Sequence, residues 1–176
     1  MKTKNLTKIA LMTAIICIFS PISVPLPISP VPLTLCTFAL CLAAYILEPK
    51  QAMAATGLFL FIGAIGVPVF SGYTGGFAKF AGPTGGYLIG YLFLVGITSY
   101  FVQKNPNSRK MQILGAFLGT VVTYTFGTFW LAILTNASFF ATLPTGALIF
   151  LPLDIVKIIL ACFLGEKLKT HINHIS

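Results

Sequence analysis

The sequence predicts an all-α integral membrane protein, a bundle of six transmembrane helices. Charged residues make up 8% of the 176 and hydrophobic residues 57%, against roughly 25% charged in a soluble domain. So little polar surface cannot cover a soluble fold. The apolar residues fall into six runs with Gly and Pro scattered through them, which points to helical spans, because a helix satisfies its own backbone in lipid. At this length the chain forms one membrane-embedded domain, residues 1–176, with no room for a second.

The first run, about 6–21, follows a basic head. "MKTKNLTKIALMTAIICIFS" has the outline of a signal peptide, but "PISVPLPISP" after it offers no small-residue cleavage site, so it reads as an uncleaved first span. Pro21, Pro25, Pro27, Pro30 and Pro32 then make a stiff, extended connection, since proline fixes φ and biases the residue before it away from helix. The second and third runs, about 34–47 and 51–66, are shorter than the roughly 20 residues of a perpendicular span. They must thin the bilayer, extend through loop residues or pack deep inside the bundle.

Residues 66–90, "GVPVFSGYTGGFAKFAGPTGGYLIG", lead into the fourth run, about 84–102. "GPTGG" lacks the spacing of a Walker A loop and reads as a tight re-entrant turn. The helix beginning at Thr84 or Gly85 would present backbone N–H groups, and with Lys79 nearby it makes a seat for an anionic ligand group. The fifth run, about 111–134, carries Gly115 and Gly119 at a spacing that permits close helix contact, as do Gly86 and Gly90 in the fourth. Thr120, Thr123, Tyr124, Thr128 and Trp130 add hydroxyls and aromatic faces further along; an interfacial belt accounts for Trp130 as well as a pocket does. The sixth run spans about 148–165.

The net charge of +8 forms no basic stripe interleaved with aromatics, which argues against nucleic acid. It follows topology instead. With six spans both termini share one side, and that side holds Lys2, Lys4, Lys8, Lys50, Lys104, Arg109, Lys110, Lys167 and Lys169, against Lys79 alone on the other. The termini are therefore expected in the cytoplasm of a multi-pass cell-membrane protein. Cys17, Cys36, Cys41 and Cys162 lack metal or redox spacing and read as small buried hydrophobes. His171 and His174 lie in a polar tail, so no metal site is expected.

Asp154 and Lys157, in "FLPLDIVKIIL", are the only ionisable side chains well inside a run, and at i, i+3 they share a helical face. A charge in hydrocarbon costs about 2.5–3.5 kcal/mol even on the lenient insertion scale, so the pair must face the bundle interior. Two roles stay open for it: a self-neutralising pair that fixes helix register, or a functional site just below an outward mouth. An intramembrane enzyme using either group as acid or base is a further reading, but the chain offers no clear nucleophile or metal cluster.

"VPLTLCTFAL" after the proline-rich stretch, "GAIGVPVF", "GGFAKFAGPTGGYLIG", "YTFGTFWL" and "FLPLDIVKIILA" occur in this order over residues 31–161. In these motifs the chain resembles the BioY family, the biotin-binding membrane (S) component of energy-coupling factor (ECF) transporters. The resemblance implies six transmembrane helices, cytoplasmic termini and a biotin pocket near the external face. It implies as partners a transmembrane coupling subunit and two ATP-binding-cassette ATPases, with no enzymatic activity and no cofactor in this chain. Asp154 and Lys157 then become the polar anchors for biotin, Tyr87 and Tyr124 lining residues, and Lys79, Thr84 and Gly85 the neighbouring external loop. Ala10 and Ala14 match the AxxxA spacing by which such components meet the coupling subunit. Cys36 departs from the Gln common at that family position, so no polar contact is carried over there; Glu48 replaces a Gly in a turn. A related capture subunit for another small vitamin is the alternative within transport.

Overall fold

The computed structural model describes residues 3–174; Lys2 and the side chains of His171 and His174 lie outside the described residues. Among the described residues, six helices longer than ten residues overlap the six apolar runs: α1 (Thr3–Phe19), α2 (Cys36–Ile46), α3 (Pro49–Ala64), α5 (Gly85–Lys104), α6 (Arg109–Thr135) and α8 (Leu151–His174). Two shorter helices, α4 (Ala78–Ala81) and α7 (Phe139–Leu143), lie in the connections. The helices α5 and α6 are each long and apolar enough to cross a membrane, and the stretch Phe139–Leu148 joins Leu151–Lys169 as an apolar pair bent by 44°. Just before the bend the helix is irregular. Pro144 has no N–H to continue α7, and the chain widens into a π turn over Pro144–Leu148, in which the Ile149 N–H reaches back to the Pro144 carbonyl.

The all-α expectation needs one correction. The proline-rich connection forms an antiparallel hairpin, β1 (Ser23–Leu26) and β2 (Ser29–Thr34), with Ser23 opposite Thr34 and Leu26 opposite Ser29. A lone two-stranded ribbon tolerates proline because half its N–H groups need no ladder partner, and the register shifts between Val24 and Leu26, around Pro25. The hairpin is tied to the bundle by the Ser29 hydroxyl, which donates to the Thr145 carbonyl at 2.8 Å.

The short α2 takes the deep position. It packs against α1, α3, α5 and α8, and Ala39, Leu40, Cys41, Ala43, Ala44 and Tyr45 are all buried. A helix that is apolar all round belongs inside. Glu48 and Pro49 open α3 as N-cap and first residue, proline's missing N–H being unneeded there.

The closest packing joins α5 to α6, and glycine permits it. A β-carbon at Gly86 would run into Trp130 and the Phe126 carbonyl, one at Gly119 would lie 2.8 Å from the Leu94 carbonyl, and one at Gly90 2.9 Å from the Thr123 side chain. The Gly-rich loop behaves likewise. It folds back on the end of α3 through φ values of 109° at Gly66, 71° at Gly72 and 98° at Gly76, and places the Phe70 ring against Gly63. The Trp130 indole N–H donates to the Gly82 carbonyl at 2.9 Å and pins the "GPTGG" turn to α6.

Gly86→Ala should therefore destabilise the protein by about 1–3 kcal/mol, the usual cost of overpacking, while Gly57→Ala, whose β-carbon meets nothing within 4 Å, should be neutral or mildly stabilising. Thermal unfolding of the purified variants in detergent checks both; equal losses would mean that helix propensity, and not contact, governs these positions.

Candidate functional site

Where the hairpin covers the bundle, residues of α2, α5, α6 and α8 line a partly enclosed cavity. Val31, Pro32 and Leu33 of the hairpin with Phe70, Leu88, Leu94 and Phe150 make its apolar wall. Several of its polar groups are bonded to one another.

Asp154 stands at their centre, 3% exposed in the first turn of α8. Its Oδ1 accepts from the Lys157 ammonium at 2.7 Å and from the Thr37 hydroxyl at 3.1 Å; its Oδ2 accepts from the Tyr124 hydroxyl. Lys157 in turn donates to the Thr34 carbonyl at 2.7 Å, and its Nζ lies 3.5 Å from Thr37 Oγ1. Each element has a reason to deliver its group. The i, i+3 spacing brings Lys157 back over Asp154. The Thr34 hydroxyl accepts from the Cys36 N–H at the start of α2, which fixes the turn that aims both the Thr34 carbonyl and Thr37 toward α8. Glycines let α6 bring Tyr124 close: a β-carbon at Gly127 would strike the Tyr87 ring.

Tyr87 and Tyr124 meet edge to face, centroids 6.2 Å apart, and Tyr124 stacks on Phe150 at 6.1 Å. The Tyr87 hydroxyl donates to the Gly146 carbonyl in the π turn at 2.6 Å, so the two rings are held from both ends. The arrangement offers one acidic acceptor, one basic donor and several hydroxyls facing an apolar chamber. It can grip a small, mostly apolar molecule by a paired donor and acceptor.

The geometry and the amino-acid pattern agree with a match of the BioY family model to residues 1–174. The chain belongs to the BioY family. It is 34% identical over 173 residues to the biotin transporter BioY2 of Lactococcus lactis subsp. cremoris, a match that covers 98% of this chain and 94% of the relative. It is 36% identical over 172 residues to the probable biotin transporter BioY of Pyrococcus horikoshii, covering 96% and 98%. Its fold is similar to the crystal structure of the S-component for biotin from an ECF-type ABC transporter, with a TM-score of 0.89, 32% identity and coverage of 96% and 92%.

Among the residues expected at the site of this BioY chain, Asp154, Lys157, Tyr87, Tyr124 and Thr84 all line the cavity. Lys79 and Gly85 do not stand among its lining residues. Gly85 is spent on packing, since a β-carbon there would collide with the Phe80 carbonyl, and Lys79 belongs to the short α4. Sequence reasoning missed Thr37, Thr34, Ser20, Tyr91 and Phe150, which also line it. Thr34 and Thr37 lie within the quoted "VPLTLCTFAL"; nothing in that motif shows that the start of α2 faces α8.

Replacing Lys157 alone by Met should destabilise the protein by about 3–5 kcal/mol, because it strands a buried carboxylate. The double variant Asp154→Leu with Lys157→Met should recover most of that loss. Denaturant or thermal unfolding of the two variants decides it; additive losses in the double variant would contradict a mutually compensating pair.

Proposed function

We propose that this chain captures biotin as the membrane substrate-binding subunit of an ECF-type transporter, serving biotin uptake. The observation that carries the reading is the cluster of Asp154, Lys157, Thr37 and Tyr124 on the wall of a largely apolar cavity, in a chain of the BioY family whose relatives are named biotin transporters. Biotin is mostly apolar, with a neutral cyclic urea at one end and a carboxylate at the other. Asp154 and Lys157 neutralise each other at 2.7 Å, which favours the neutral end there over a second carboxylate. Asp154 accepts from a ureido N–H, Lys157 donates to the ureido oxygen, and the tyrosines and Phe150 flank the ring system. The valeryl chain and carboxylate then extend toward the mouth, where Ser71 and Thr84 also line the wall.

The chain is a single membrane-embedded domain of six spans. Its termini are cytoplasmic and the hairpin end faces outward, a topology supported by the nine-to-one distribution of basic residues. Transport energy comes from partners: a transmembrane coupling subunit and two ABC ATPases. Ala10 and Ala14 are exposed on one face of α1 and give the coupling subunit a smooth surface for close approach. Like the family, the chain performs no chemistry on its ligand.

Isothermal titration of the purified protein with biotin tests the reading. Wild type should bind, and Asp154→Ala should lose at least about tenfold in affinity, since truncation leaves a ureido donor unpaired in a dry site. In cells, growth of a biotin auxotroph on trace biotin should depend on this chain together with its coupling subunits, and Lys157→Ala should abolish the rescue. Absence of biotin binding by wild type, with another vitamin bound instead, would reassign the substrate.

A further inference from the structure

One member of the polar cluster is given no contact with biotin in the reading above. Thr37 Oγ1 carries one proton and two lone pairs. Its proton goes to Asp154 Oδ1 at 3.1 Å, and its oxygen lies 3.5 Å from Lys157 Nζ. The hydroxyl therefore shows a donor to the acid and an acceptor to the base, side by side. Thr37 stands in the first turn of α2, where no helical carbonyl lies four residues back, and its hydroxyl reaches across to α8.

A cyclic urea presents the same pair along one edge, an N–H beside a C=O. Resting on the biotin reading, we infer that the Thr37 hydroxyl is a built-in stand-in for that edge. It is displaced when the ureido N–H donates to Asp154 Oδ1 and the ureido oxygen accepts from Lys157 Nζ. Of the groups bound to the ion pair, Thr37 gives way most easily. Tyr124 holds the other carboxylate oxygen; the Thr34 carbonyl is backbone, at the root of the hairpin and of α2; and the Lys157–Asp154 bond is charge-assisted. The contact from Lys157 to Thr37 is the longest of the set, and rotation about the single χ1 bond of Thr37 releases both of its interactions. Thr37 lines the cavity and is only partly buried, so a ligand can reach it.

The device has a consequence for selectivity. A ligand with both donor and acceptor replaces the hydroxyl in full, whereas one with only a donor or only an acceptor leaves a desolvated charge short of a partner. Thr37 thus lowers affinity for every ligand while sharpening the choice among them. It is a positioning residue, acting through Asp154 and Lys157.

This gives an unusual sign to a simple substitution. In titration calorimetry on the purified protein, Thr37→Val should bind biotin about threefold to tenfold more tightly than wild type, the worth of one hydrogen bond no longer displaced. Thr37→Ser, which keeps the hydroxyl, should stay within about twofold of wild type. Desthiobiotin, which keeps the cyclic urea, should show the same gain with Thr37→Val. Unchanged or weaker binding by Thr37→Val overturns the inference, because a merely structural threonine or a direct ligand contact gives those results. A second measurement needs no hydroxyl-free variant. In wild type labelled with ¹³C in threonine methyl groups, the Thr37 resonance, identified by its absence from Thr37→Ser, should shift on addition of biotin; a resonance that stays in place also overturns it. Failure of wild type to bind biotin is a separate outcome and removes the biotin reading itself.

Discussion

The carboxylate of Asp154 sets the terms for the rest of the molecule. A charge buried at 3% exposure in an apolar bundle is tolerated only if neighbours neutralise it and fill its lone pairs. Here that requirement recruits four separate elements: Lys157 from the same helix, Thr37 from the start of α2, Tyr124 from α6 and, through Lys157, the Thr34 carbonyl at the end of β2. The site and the joint between the hairpin and the helices are one network. A change at either end is felt at the other.

Glycine makes that convergence geometrically possible. Long side chains between α5 and α6 would hold the helices apart and move Tyr124 out of reach of Asp154. Glycines at 86, 90, 119 and 127 let the backbones close up, and Thr123 uses the proximity to donate to the Gly90 carbonyl at 2.9 Å. The tyrosines then lie where α5 and α6 meet, their rings locked by each other and by Phe150. Rigid aromatic walls and a satisfied ion pair limit what a ligand must reorganise on entry, which conserves binding free energy.

Much of this was legible in the sequence because membranes make strong demands. Six apolar runs announced six long helices, and a lone acid and base in the last run announced an interior site. The glycine pairs announced close packing, which Gly86, Gly90 and Gly119 provide. The illegible part is tertiary. Nothing local says that proline-dense residues 23–34 will pair as a ribbon, since each proline argues against a strand taken singly. Nothing in "LCTF" says which helix Thr37 will face. The pattern at the start of α5 does not tell that Thr84 lines the cavity while Gly85 packs against the Phe80 carbonyl. Local pattern finds charges and breaks, whereas partners across the bundle emerge only from the fold.

The hairpin that covers the cavity also has an open edge, and its sequence decides what that edge can do. Pro25 in β1 and Pro30 and Pro32 in β2 carry no N–H, so a neighbouring chain that laid a strand alongside would find donors missing at these positions. Exposed strands ordinarily invite such pairing. A donor-poor ribbon is a poor template for such a strand, so the same prolines that stiffen the cover of the cavity also work against pairing along its edge.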